Sequence, residues 1–342
     1  MYRNLAEGTV PGMTTQTTSP PAAASVGGFG SPSPIVFVDG TFLPAEDARV
    51  STHANVLSYG TGTFDGIRAS WNDDHDELYL LEASAHYDRM ARSARVLGLE
   101  LPFATDELVA ISAELLRRNE IRSNAYLRPL YVLVGDELPV RMNGVPARFQ
   151  IAATPIVGDY INLDGVRCMV SSWRRAPDNV LPGRAKLCGS YVGPALAKSE
   201  AIAHGYDEAL MLNGAGHVAE GTTSNLFMRR GDEWITPAVT DDILEGITRA
   251  QVKHLLVERT GRAVTERSIQ RSELYVCDEL LLCGTAALVV PVVSVDDRPV
   301  GNGSAGEFTR GLFDELRAVS RRLGDGRHDW TTPVYASVVG ER

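Results

Sequence analysis

From residue 35 to about residue 323, apolar runs of strand length alternate with stretches whose apolar residues recur at helical spacing, which confines the chain to an α/β architecture of the α+β type. Ile35-Val36-Phe37-Val38 opens the pattern, and Asp39-Gly40 turns the chain into Thr41-Phe42-Leu43, a hairpin signature. Residues 79–81, 125–134 and 149–154 read as further strands. Ser84 is the expected cap of a helix reaching about Leu97, with Tyr87, Met90 and Ala94 on its buried side and Gly98 as its stop. Residues 105–118 form a second helix, with Leu108, Ile111 and Leu115 in phase. A second block follows, with strands at 166–172, 208–212, 217–219, 226–228, 234–235, 263–268 and 279–283, and helices at 191–204, 246–260 and 307–323. The chain beyond residue 34 suggests two domains or one large one, divided as a smaller α/β unit over 35–154, a loop over 155–163, a larger unit over 164–330 and a tail at 331–342. Residues 1–34 are rich in Pro, Ser, Thr, Gly and Ala. They bury too little apolar surface to offset the entropy of ordering, so disorder is expected there.

The totals narrow the function. A net charge of −10 argues against a general affinity for nucleic acid or an anionic membrane. No apolar run is long enough to span a bilayer, and the N-terminus lacks the apolar core of a secretory signal. The four cysteines show neither a C-x-x-C pair nor zinc spacing, which suits reduced thiols in the cytoplasm. The seven histidines are dispersed, so no metal site is expected. Residues 301–306 spell G-x-G-x-x-G, but only one helix follows, so this is a turn rather than a dinucleotide fingerprint.

Of the 33 basic residues only three are lysines: Lys186, Lys198 and Lys253. Arginine carries charge but is essentially never deprotonated, whereas a lysine with a lowered pKa can form a Schiff base. Lys198 and Lys253 sit on the polar sides of amphipathic helices. Lys186 lies in a Pro- and Gly-containing connection between a strand and a helix, where catalytic groups are often placed.

Five segments read together with it. Residues 59–68 are Tyr-Gly-Thr-Gly-Thr-Phe-Asp-Gly-Ile-Arg, and residues 170–177 are Val-Ser-Ser-Trp-Arg-Arg-Ala-Pro, followed by Lys186 and Tyr191. Residues 220–227 are Glu-Gly-Thr-Thr-Ser-Asn-Leu-Phe, 244–249 are Leu-Glu-Gly-Ile-Thr-Arg, and 283–287 are Cys-Gly-Thr-Ala-Ala. In this order they resemble the class IV (fold type IV) pyridoxal-phosphate enzymes, most closely the branched-chain amino acid aminotransferases.

The resemblance implies two α/β domains with pyridoxal 5′-phosphate in the cleft between them. Lys186 would hold the cofactor and move the substrate proton. Tyr191 would bond its phenolic oxygen, and Glu220, with Gly221 beside it, would face its ring nitrogen. Arg89, Ile247, Thr248 and Thr285 would hold the phosphate, the middle pair at a helix N-terminus. Tyr59, Phe64, Arg68, Tyr126, Arg128, Thr285 and Ala286 would contact substrate, with Arg128 suited to a carboxylate. Tyr126 and Arg128, two apart on a strand, share a face. The implied reaction is ping-pong transfer between a branched-chain or related apolar amino acid and 2-oxoglutarate, in a homodimer. Two segments depart from the family. Ile156 and Asp159 stand where Trp and Tyr are usual in the interdomain loop, and residues 136–141 replace a glycine-rich stretch. Both departures fall on the substrate side, so a specialised transaminase for an unusual amino acid is an alternative. An aminodeoxychorismate-type lyase, a D-amino acid transaminase and a non-catalytic scaffold are the others. Gly66 to Arg68 with Tyr126 and Arg128 favours the transaminase over the lyase, and Lys186, Tyr191, Glu220 and Arg89 together argue against a scaffold.

Overall fold

The computed structural model describes residues 28–136, 140–158, 162–324 and 326–336. Residues 137–139 and Asp159, where the sequence departs from the family, therefore lie outside the described residues, as do residues 1–27 of the expected disordered extension, whereas Ile156 is described and buried. The last residues of that extension are ordered instead. β1 (Gly28–Phe29) leads into β2 (Ile35–Val38), and Ser33 between them is buried. Backbone hydrogen bonds to a neighbouring strand hold a segment whose side chains alone would not.

The Asp39-Gly40 turn closes the expected hairpin, with Val38 opposite Thr41 on β3 (Thr41–Pro44). A short helix, α1 (Asn55–Tyr59), precedes β4 (Gly62–Phe64), β5 (Ile67–Asn72) and β6 (Glu77–Leu81). Helices α2 (Ala83–Val96) and α3 (Thr105–Arg118) follow, then β7 (Ala125–Leu133) and β8 (Ala147–Val157). The residue before α2 is Glu82, in a left-handed conformation, so the helix begins earlier than the Ser84 cap would allow. The strands pair antiparallel in the order β6-β5-β7-β8-β2-β3, with β1 on β8 and β4 on β7. On β7, Ala125 and Leu127 enter a core shared with Tyr87, Met90, Leu108 and Phe149. The alternating residues Tyr126 and Arg128 are left on the opposite face.

The second block is built on β9 (Val166–Arg174), α4 (Val192–Ala203), β10 (Glu208–Leu212), β11 (His217–Gly221), β12 (Asn225–Arg230) and β13 (Glu233–Thr236). It continues through α5 (Ile247–Thr260), β14 (Thr265–Glu266), β15 (Ile269–Gln270), β16 (Glu279–Gly284), β17 (Leu288–Val295), β18 (Arg298–Pro299) and α6 (Glu307–Ser320). The strand order is β14-β13-β12-β16-β17-β9-β10-β11-β15, with β9 parallel to both of its neighbours. β17 was not legible, because Pro291 interrupts its apolar run. Parallel pairing to β9 begins only at Val292, so the missing N–H is not needed there. After α6 the chain returns to the first sheet, where β19 (Thr331–Pro333) pairs with β6 at the edge, again with a proline at an edge position. Among the described residues no helix is long and apolar enough to cross a membrane.

Candidate active site

The loop carrying Lys186 is fixed by the first sheet and its helix. The Lys186 N–H donates to Ser93 Oγ on α2 at 3.0 Å, and the Lys186 carbonyl accepts from Phe64 N at 3.1 Å and from Thr63 Oγ1 at 2.8 Å on β4. The side chain then reaches Tyr191, with Nζ 2.6 Å from the phenolic oxygen and 5.0 Å from the Phe64 ring centre. Burial, reinforced by the Arg89 guanidinium, lowers the amine to about 8. Burial and the Glu220 carboxylate push the Tyr191 phenol up, so it stays protonated.

Lys186 borders a cup of about 50 Å³ whose walls include Arg89, Arg175, Tyr191, Glu220, Ile247, Thr248 and Thr285. Glu220 is on strand β11 and is buried. Its Oε1 lies 3.2 Å from Arg175, and its Oε2 accepts from Asn225 Nδ2 at 2.9 Å and Leu244 N at 3.1 Å. Burial raises the carboxyl, and Arg175 with the Leu244 N–H pulls against that. At the start of α5, Gly246 caps the helix without a side-chain hydrogen bond. That leaves the first N–H groups of the helix without a side-chain cap, the arrangement that suits an anion. Glycine is required there, since a Cβ would lie 2.0 Å from Asn225 Oδ1.

Arg89 holds this helix start through a 3.3 Å bond to Glu245 O, while its other nitrogens grip Asp65 at 3.0 and 2.6 Å. His86 Nδ1 lies 2.8 Å from the same carboxylate. Burial acts to raise the Asp65 pKa, yet Arg89 and His86 hold it well below the ordinary range. Sequence reading missed Asp65 and Arg175. Each sits inside a quoted segment, but its partner is distant in the chain.

On the other side of Lys186 opens a cavity of about 520 Å³, bordered by Phe29, Phe64, Tyr126, Arg128, Thr285 and Ala286 among others. The Arg128 guanidinium lies over the rings of Phe64 at 4.8 Å and Tyr126 at 5.3 Å. Gly66 admits Tyr126, because a Cβ there would fall 1.6 Å from the Tyr126 hydroxyl. Lys198 also borders this cavity, although its ammonium is bonded to Glu208 at 2.9 Å.

Three expected contacts are not brought to either cavity. Tyr59 ends α1 at the surface, beside exposed Leu57. Arg68 is buried behind the wall, donating to Ala286 O at 2.6 Å and Ser70 Oγ at 3.1 Å, so it shapes the Thr285–Ala286 turn from outside. Gly221 bonds Ser224 O at 2.8 Å and supports the strand end next to Glu220.

A family model described as amino-transferase class IV matches residues 62–295. A probable branched-chain-amino-acid aminotransferase of Aquifex aeolicus is 43% identical over 304 residues, spanning 87% of this chain and 96% of the relative. The branched-chain aminotransferase of Thermoproteus uzoniensis, solved with norvaline, superposes with a TM-score of 0.84 at 37% identity over 89% of this chain and 100% of that one. The T.th. branched-chain amino acid aminotransferase complexed with N-(5′-phosphopyridoxyl)-L-glutamate gives a TM-score of 0.83 at 38% identity over 88% of this chain and 99% of that one. With the family match covering more than half of its length, the chain belongs to the class IV aminotransferases.

Proposed function

We propose that this aminotransferase moves an amino group between a branched-chain or related apolar amino acid and 2-oxoglutarate by a ping-pong mechanism, with pyridoxal 5′-phosphate as cofactor. The observation that carries the reading is that the buried Lys186 amine borders both the polar cup and the larger cavity. The cup fits the cofactor. It joins a buried carboxylate, an amine of lowered pKa, a phenol and an open helix N-terminus beside an arginine. A pyridinium nitrogen, an aldehyde, a phenolic oxygen and a phosphate call for that set. The phosphopyridoxyl-glutamate complex of the T.th. relative supports both the cofactor and glutamate as second substrate.

Lys186 would hold the cofactor, Tyr191 its phenolic oxygen, Glu220 its ring nitrogen, and Ile247, Thr248, Thr285 and Arg89 its phosphate. When bound, the cofactor supplies an electron sink for the bond broken at the substrate Cα and carries the amino group between half-reactions. The Lys186 amine would take the proton from the substrate Cα as general base and, as acid, deliver it to the cofactor's C4′ rather than back to Cα. Tyr191, 2.6 Å from Nζ, orients that amine. Glu220, anchored by Arg175, Asn225 and the Leu244 N–H, keeps a proton on the ring nitrogen. Arg128 and Tyr126 receive a substrate carboxylate, and Phe64 borders the apolar side chain. We also propose a homodimer. The Gly189–Gly60 hydrogen bond brings α1 and the approach to α4 together, and both expose apolar groups, Leu57 and Val192. A cytoplasmic location is proposed on the four free cysteines.

The test is an assay of leucine, isoleucine and valine as donors to 2-oxoglutarate. Glutamate should accumulate with parallel double-reciprocal plots. Release of pyruvate from an aminodeoxychorismate-type substrate, with no glutamate from any apolar donor, would overturn the reading.

A further inference from the structure

Phe29 is the single large side chain in the segment 28–34, which reads Gly-Phe-Gly-Ser-Pro-Ser-Pro. That segment is stitched along β8. Gly28 lies opposite Val157 and Phe29 opposite Ile156. Gly30 N donates to Pro155 O at 2.8 Å and Ser33 N to Ala153 O at 3.0 Å. The pairing resumes at Phe37, opposite Ile151. Backbone pairing along this segment therefore fixes where the Phe29 ring goes. The ring meets Tyr126 edge-on, with centroids 5.4 Å apart at 64°. It borders the larger cavity, yet 46% of the residue remains exposed, which puts it at the cavity mouth. Its strand partner Ile156 is buried and does not border the cavity. At this level of β8 the apolar wall is thus supplied by the incoming N-terminal segment.

We propose that Phe29 is a specificity-determining residue that closes the apolar side of the substrate cavity and reads the far end of the amino donor's side chain. The proposal rests on the reading of that cavity as the donor compartment. Arg128 stacks over Phe64 and Tyr126, so the guanidinium and two rings line one part of the chamber. Phe29 adds its ring at the mouth, against Tyr126, and Val166, Leu282 and Val290 are among the other apolar lining groups. A branched donor of five or six carbons, such as valine or leucine, gains contact with this wall and shields it from water. A donor as short as alanine does not reach it.

The test compares full-length wild type with Phe29→Ala and Phe29→Leu, using leucine and alanine as donors and 2-oxoglutarate as acceptor. Loss of roughly half an aromatic contact should lower kcat/KM for leucine about fivefold in Phe29→Ala, through KM with kcat little changed. Alanine should be turned over as by wild type, and Phe29→Leu should restore most of the leucine KM. The visible absorbance of bound cofactor should be unchanged, because Phe29 does not border the cup. An unchanged leucine KM in Phe29→Ala, or an equal loss for leucine and alanine, overturns the proposal while leaving the aminotransferase reading intact. A wild-type enzyme that makes no glutamate from leucine overturns that reading itself.

Discussion

A lysine amine lowered to about 8 by burial and Arg89 becomes neutral, and so nucleophilic, well below the pH at which a solvated lysine would. The sign follows directly: the reactive form grows as pH rises and saturates above the lowered pKa. Capture of pyridoxal phosphate by cofactor-free protein should therefore accelerate about tenfold per pH unit up to near pH 8 and then level off, read by stopped-flow absorbance. A rate still climbing at about pH 10, the range of a solvated lysine, would contradict the lowered value. Glu220→Gln keeps the shape but loses the charge that holds a proton on the ring nitrogen. It should bind cofactor yet slow Cα proton removal by roughly 10² to 10⁴, measured by deuterium exchange at Cα of leucine. Wild-type exchange would exclude that role. Lys186 was legible from the scarcity of lysine in the chain, and Tyr191, Glu220 and Arg89 only through the family resemblance; all four border the cup. Asp65 and Arg175 were not legible. Their work is to neutralise Arg89 and brace Glu220, through contacts that only the fold creates.

At the scale of elements, the start of α5 and the turn before it decide whether a phosphate fits. Gly246→Val would drive a side chain into Asn225, which itself bonds Glu220 at 2.9 Å. That one change should weaken cofactor binding more than tenfold, about 1.4 kcal/mol or more, in an absorbance titration of the folded variant. Retention of wild-type affinity would show that the helix start does not hold the phosphate. Helices α2, α3, α4 and α5 were readable because their apolar positions recur at helical spacing and because Gly98 follows α2. β17 and β19 were not, since proline in an apolar run and a three-residue edge strand both read as irregular chain. The strand expected at 217–219 runs on through Gly221 as β11, which buries Glu220.

Across the whole molecule, the site exists because two sheets meet at one loop. Thr63, Phe64 and Ser93 of the first half hold the Lys186 backbone, and Arg68 reaches across to the Ala286 carbonyl of the second. Arg68→Met removes a hydrogen bond from a charged donor, with an expected cost of about 1.5–3 kcal/mol. Thermal unfolding should fall by a few degrees, while KM for amino donors rises, because the Thr285–Ala286 turn loses its outer support. An unchanged melting temperature and KM would show that the bridge carries no weight. The fold type IV architecture was legible from ordered motifs, but the return of the chain to β6 after α6 was not, because nothing in Thr331-Thr332-Pro333 announces a strand. The central claim is that the cofactor is held by the one lysine at the junction of the two halves. With three lysines in the chain, borohydride reduction of the protein reconstituted with pyridoxal phosphate, followed by peptide mapping, decides it directly. A pyridoxyl label on Lys186 is the predicted result. A label on Lys198 or Lys253, or no label, would contradict it.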